Sequence, residues 1–282
     1  MKTRDLEEAV FKVLMLLSTS IVLGSLLALF AVVILKGAFA LSLSMITETP
    51  KAGYYLGGGG GILNAIVGSL YLASGATALA FVISIPIALF LNEYAGRSRF
   101  ASLTRLSLDI LWGIPSIVYG AFAFTIMLYL GARASLFWGI ITVTLFVFPI
   151  MTRAMDEVIA TVPLRLKEGS YALGSTRLET ALKVVTRQAL PGILTAILLA
   201  FGRAIGDAAS VLFTAGYTDS IPRSLFEPVA TLPLAIFFQL STPTPEVQER
   251  AYASGIILLI IVSIASLASR ISTRRLMKYV VK

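Results

Sequence analysis

The chain has 282 residues, 57% hydrophobic and 13% charged, against about 25% charged in ordinary soluble domains, so a bilayer has to take the place of part of a water-excluded core. It contains no cysteine and no histidine, which excludes disulfides, thiolate metal sites, thiol nucleophiles and the commonest general base. Its net charge of +8 sits on segments between apolar runs, which fits cytoplasmic loops better than a nucleic-acid partner.

Six apolar stretches follow one another at about Val10–Leu35, Asn64–Phe90, Leu106–Leu130, Leu136–Ile159, Pro191–Thr214 and Tyr252–Ser269. Each is near the roughly 20 residues that span hydrocarbon as a helix. The first begins like a secretory signal, but its apolar run exceeds the usual core of about 7–15 residues, so it is read as a span. An all-α membrane protein with six transmembrane helices and both termini on one side is expected. Of the 23 lysines and arginines, 17 fall on the terminus side, among them Arg97, Lys278 and Lys282, and five on the other. This asymmetry predicts cytoplasmic termini.

The second stretch is preceded by the five-glycine run Gly57–Gly61. A phosphate-cradling P-loop needs a glycine-lysine ending, and no glycine precedes a lysine in this chain, so an ATPase site of its own is not expected. The run reads as a flexible outer turn, with Asn64 capping the helix after it. The third stretch carries Arg105 and Asp109 at helical spacing where it begins, its expected cytoplasmic end, read as snorkelling and a simple pair. Gly113 and Pro115 predict a kink in it, which makes Ser116 and Tyr119 candidates for lining a path. Ala230–Leu240 is apolar but too short to cross, and is read as a re-entrant or interfacial outer element.

Between the fourth and fifth stretches lies PLRLKEGSYALGSTRLETALKVVTRQALPG. Pro163 opens a short helix, Gly174 ends it in the left-handed conformation, and Thr176 with Glu179 forms a capping box for a second helix. Pro191 then marks the start of the fifth span. Such a helix-elbow-helix serves equally as a connector on the membrane surface or as a docking knob for a cytoplasmic partner.

The fifth stretch holds GRAIGDAAS, residues 202–210. An arginine at the centre of a span costs about 2.5–3.5 kcal/mol on insertion scales. Arg203 and Asp207 share a helix face at i,i+4, and Gly202 with Gly206 lets another helix come close. One reading is an intrahelical ion pair beside a tight helix contact. The other is a permanent cation facing a translocation path, its planar fork matched to two oxygens of an oxyanion and held neutral at rest by Asp207.

Glu168 to Gly174, followed by Ala189–Gly192, resembles the EAA loop with which permease subunits of ABC importers seat on their ATPases. GIPSIVYG (113–120), GGGGILNAIVGSL (58–70), EGSYALGSTRLET (168–180) and GRAIGDAASVLFTAG (202–216) are together similar to the phosphate-specific permeases, more the PstA type than the PstC type. The resemblance implies a type I importer permease in the cell inner membrane. Residues 1–57 would form an N-terminal helix and outer loop, and residues 58–282 a five-helix core with a cytoplasmic coupling loop at about 161–190. It implies a substrate pathway at Arg203, Asp207, Ser116 and Tyr119, and ATPase coupling through Glu168, Gly169, Ser170, Ala172, Leu173, Gly174, Thr176 and Glu179. The implied partners are a second, PstC-type permease, an ATP-binding cassette dimer, an extracytoplasmic phosphate-binding protein, inorganic phosphate and membrane lipid, with no nucleic acid, cofactor, metal or catalytic residue. The chain departs from the pattern at Glu168-Gly169-Ser170, at Thr186-Arg187 and at Asp207, where relatives commonly have glutamate. A permease for sulfate or molybdate is the alternative. A channel leaves the cytoplasmic knob without a purpose, and a lipid-phosphate enzyme lacks clustered carboxylates and a base.

Overall fold

The computed structural model describes residues 2–54, 57–96 and 98–276; Arg97, Lys278 and Lys282 of the charge count lie outside them. Among the described residues the chain is helical, with one isolated antiparallel bridge, Pro50 to Gly60. Five helices are long and apolar enough to cross a membrane, or six if a bent pair counts as one span.

Helix α1 (Lys2–Gly37) is exposed over most of its described side chains and packs on the last helix, α11 (Pro245–Leu276), through its C-terminal end, where Gly37 is buried. Gly37 makes this possible: a Cβ there would lie 2.6 Å from the Tyr252 carbonyl carbon. A short helix α2 (Leu43–Thr47) follows, and then the glycine run. The run is not a free turn. Arg250 on α11 donates to the carbonyls of Tyr54 (3.0 Å), Gly58 (2.7 Å) and Gly57 (3.1 Å), and its guanidinium lies over the Tyr54 ring. Glycine brings these carbonyls to one cation, and carbonyl oxygens do not cradle anions.

The centre of the fold is α3 (Leu63–Phe90) against α6 (Leu136–Ala160). Every fourth residue of α3, Gly68, Leu72, Ala76, Ala80, Ser84 and Ala88, is buried, and all but Leu72 are small. Lipid offers no hydrophobic drive for helix association, so close backbone packing and cross-helix hydrogen bonds hold the pair. Thr144 donates to the Ala76 carbonyl (3.3 Å), and Thr152 to the Ser84 hydroxyl (2.9 Å). Asn64 does not cap α3. Ile62 occupies that position, and Asn64, the second residue of the helix and buried, donates to the Thr218 carbonyl at 2.6 Å. The N-terminal end of α3 is thereby tied to a distant loop instead of to its own amides.

The third expected span is two helices, α4 (Arg99–Gly113) and α5 (Ser116–Tyr129), set at 96°. A proline disfavours helical geometry at the residue before it, and Ile114 (ψ 131°) and Pro115 (ψ 139°) are both extended. The expected kink is therefore a right-angle break.

A short helix α7 (Leu164–Ala172) and a further turn, α8 (Arg177–Glu179), form the loop after α6. The elbow forms as the sequence predicts. Gly174 has φ +84°, its amide reaches the Tyr171 carbonyl, and the Ser175 amide reaches the Ser170 carbonyl, the paired bonds of a Schellman end. The Thr176–Glu179 capping box is complete. Pro191, however, does not begin the fifth span. From α8 a π-helical turn, Thr180–Val185, runs without interruption into α9 (Thr186–Gly206), so the second half of the expected coupling loop and the span are one helix. Pro191 is buried inside it, where packing tolerates the lost hydrogen bond. Helix α10 (Leu232–Leu240), in the apolar segment read as a short outer element, packs against α11 and α3.

Candidate functional site

The site is built where helices stop. α9 ends at Gly206, four residues before Ser210, and Asp207 is already extended (φ −86°, ψ 125°). Its carboxylate accepts the Ser210 amide at 2.8 Å and so starts the compact turns that follow. The sequence reading put the span end at Thr214 and Arg203 at its centre. The structure puts Arg203 in the last helical turn, where the negative end of the helix dipole favours a cation.

Arg203 and Asp207 do not pair. Because the backbone turns at Asp207, the two residues no longer share a helix face, and Arg203 makes no ion pair among the described residues. Its guanidinium lies over the Phe146 ring of α6, 4.7 Å from the centroid, an attraction between cation and ring quadrupole. Phe146 is flanked by Tyr119 of α5, ring centroids 5.9 Å apart. Tyr119 donates its hydroxyl to the Leu111 carbonyl at 2.8 Å, across the break between α4 and α5. Three predicted residues, Arg203, Tyr119 and Asp207, thus come together around Phe146 and the turn after α9, and the sequence reading missed Phe146. Ser116 stands partly exposed in the first turn of α5, one turn before Tyr119.

Gly202 and Gly206 meet no neighbour within 4 Å, so the expected tight helix contact is not made through them. The close approach belongs to Gly120 of α5, where a Cβ would stand 2.6 Å from the Ser210 carbonyl oxygen. Only glycine lets α5 seat against the turn after α9.

Phe146 lies near the middle of α6, the most buried of the long apolar helices, so Arg203 sits about halfway along α6 although its own helix ends within a turn of it. Beyond it the chain continues without helix until Leu232. Irregular backbone at membrane depth is tolerated only when buried in protein or lining a wet cavity. Ser210, Val211, Thr214, Ala215, Val229 and Ala230 are fully buried. Carbonyls of this segment, Thr214, Glu227 and Leu225, accept the amides of Ser135, Leu136 and Phe137 at the start of α6, which completes both elements.

A second polar cluster lies near the far end of α6. Asp156, with its side chain 4% exposed, accepts from Arg105 (2.8 Å), Arg153 (2.9 Å) and Asn92 (2.7 Å). Asp109 pairs with Arg153 at 2.6 Å. Arg105 and Asp109 therefore each bind across to α6 instead of to each other, because α4 lies against α6. The residues expected to couple to an ATPase lie on α7 and α8, outside the contacts of both clusters. Glu168, Gly169, Ala172, Leu173, Gly174 and Thr176 are exposed, Glu179 is half-buried in its capping box, and Ser170 is buried against Thr180.

Residues 84–278 match the family of binding-protein-dependent transport system inner membrane components. The chain belongs to that family. As a member it is a multi-pass cell-membrane protein, and the matched region holds Tyr119, α7 and Arg203. Among its relatives is "Phosphate transport system permease protein PstA 1" of Mycobacterium tuberculosis, 35% identical over 222 residues, covering 77% of this chain and 73% of the relative. "Phosphate transport system permease protein PstA" of Haemophilus influenzae is 32% identical, covering 84% and 83%. "Probable ABC transporter permease protein YqgI" of Bacillus subtilis is 31% identical over 90% of both chains. In three dimensions the chain is similar to a chain of the MetNI methionine ABC transporter in an inward-facing conformation. The TM-score is 0.59 at 20% identity, covering 76% of this chain and 95% of that one. The importer-permease fold is therefore shared well beyond sequence similarity.

Proposed function

We propose that this chain is the PstA-type permease subunit of an ATP-driven importer of inorganic phosphate, forming half of the translocation pathway. The observation that carries the reading is Arg203: a guanidinium without a counter-ion among the described residues, at mid-bundle depth, where one helix stops and another is broken. Intramembrane arginines are costly and mark ion or substrate pathways. Its planar fork matches two phosphate oxygens and stays charged at any working pH. The relatives named for phosphate transport, at 32–35% identity, favour phosphate over sulfate or molybdate.

In this reading both termini are cytoplasmic and α7 faces the ATPase subunits. Leu164, Tyr171, Leu173 and Leu178 are exposed along the coupling segment, an apolar face that suits a groove on an ATP-binding cassette dimer. A PstC-type permease completes the path, and an extracytoplasmic binding protein delivers phosphate to the glycine-run side. The chain supplies no chemistry of its own. Arg203 and the start of α5 around Ser116 and Tyr119 hold the anion in passage, and Asp207 shapes the turn that exposes Arg203.

The test is reconstitution in proteoliposomes with the PstC-type permease, the ATPase subunits and the binding protein, measuring ATP-dependent uptake of phosphate against sulfate and molybdate. Phosphate uptake that Arg203→Ala abolishes in an assembled complex supports the reading. Undiminished uptake by that variant, or preference for another oxyanion, overturns it.

A further inference from the structure

Besides the packing of Leu166 on the core, helix α7 makes two side-chain polar contacts with the bundle, and both reach turns of π-helix. Lys167 Nζ donates to Glu93 Oε1 at 2.6 Å. Glu93 belongs to the π-helical turn Leu91–Ala95 that ends α3, and the two side chains are 15% and 3% exposed. On the next turn of α7, buried Ser170 shares a 2.9 Å hydrogen bond with fully buried Thr180, the first residue of the π turn leading into α9. Such turns are rare and are found mostly where a helix does something besides span.

Each fastening leads along a helix to the Arg203 site. Thr180 and Arg203 belong to one continuous helix, about 35 Å of stiff rod at 1.5 Å per residue. Glu93 adjoins Asn92, whose amide donates to Asp156 Oδ1 (2.7 Å) and to the Asp156 carbonyl (3.2 Å) on α6. From Asp156, α6 runs about 15 Å to Phe146. The two routes end on the two partners of one contact, Arg203 and Phe146. A displacement of α7 relative to the bundle therefore acts on both sides of it.

We propose that the buried Lys167–Glu93 ion pair is the positioning element through which α7 transmits ATPase-driven movement into α3 and α6, acting together with the Ser170–Thr180 bond into α9, so that Arg203 is presented to or withdrawn from phosphate. This rests on the transport reading above. Exposed surface pairs are nearly neutral in energy, but breaking a buried one leaves an uncompensated charge, so the pair holds its two helices as one body.

The experiment uses the whole reconstituted complex and reads phosphate moved per ATP hydrolysed, with inorganic phosphate and ATP as probes. Glu93→Gln and Lys167→Met are each expected to lower that ratio about tenfold while ATP hydrolysis continues, in the range coupling changes reach. The charge-reversed double variant Glu93→Lys with Lys167→Glu should restore it to within about threefold of wild type. A wild-type ratio in either single variant, or no restoration in the reversal, overturns the proposal. If the neutral variants do not assemble, Glu93→Asp decides, because it keeps the charge and shortens the reach. Its ratio should fall and should recover when Lys167→Arg adds length, whereas a wild-type ratio in Glu93→Asp overturns the link. Wild-type uptake measured alongside separates the two conclusions. Absence of ATP-driven uptake by wild type overturns the transport reading, while normal wild-type uptake with unchanged variant coupling overturns the linkage alone.

Discussion

Arg203 lies over the ring of Phe146, with its guanidinium 4.7 Å from the centroid, while the carboxylate of Asp207, four residues on, is turned to the amide of Ser210. The cation lies over an aromatic face and has no anionic partner among the described residues, which keeps its hydrogen-bonding edge available to a ligand.

Asp207 is thus a cap and not a counter-ion. Asp207→Asn keeps an oxygen for the Ser210 amide and should hold initial phosphate uptake within about threefold of wild type. Asp207→Ala strands that amide and should cost about tenfold or more. Uptake assays on the reconstituted complex decide it: an asparagine variant as impaired as the alanine one shows that the charge itself matters.

Charge alone is also insufficient at position 203. Arg203→Lys retains a cation but loses the planar fork and the stacking on Phe146, and should reduce uptake by about tenfold or more. Full activity with lysine removes the argument from guanidinium geometry.

The buried carboxylate near the end of α6 carries more stability than its exposed neighbour. Asp156→Ala leaves two arginines and Asn92 facing an empty site and should destabilise the chain by about 3 kcal/mol or more. Asp109, 45% exposed, should cost under about 1 kcal/mol on the same change. Thermal unfolding in detergent compares the two, and equal losses contradict the burial argument.

At the elbow of the coupling segment, φ at Gly174 is +84°. Gly174→Val forces a β-branched residue into the left-handed region at a cost of about 1–2 kcal/mol or more, and should lower phosphate moved per ATP, while Gly174→Asn should do so less. Unchanged coupling in the valine variant counts against a rigid elbow.

Arg250 gives the glycine run its shape through three carbonyls. Arg250→Met should free that loop, seen as tryptic cleavage at Lys51 accelerated about tenfold, since proteolysis follows the open population. An unaltered cleavage rate shows that the loop is held otherwise.

The membrane class, the apolar stretches, the Gly174 elbow, the Thr176–Glu179 capping box and the unusual place of an arginine at position 203 are legible in the chain, because each follows from composition or from interactions within a few residues. Where helices stop and which charges meet depends on packing between segments far apart in the chain. Pro191 looked like a helix start and lies inside a helix, because neighbouring packing compensates a lost hydrogen bond. Pro115 turned a kink into a 96° break. The i,i+4 spacings of Arg203 with Asp207 and of Arg105 with Asp109 suggested pairs that do not form. In the first case the backbone leaves the helix at Asp207, and in the second Asp156 and Arg153 on α6 lie closer. Phe146, Glu93, Asp156 and Arg250 carry no local signal, since each gains its role from a partner far away in the chain. Spacing along a helix says which residues can meet only if the helix continues and nothing better approaches from outside it.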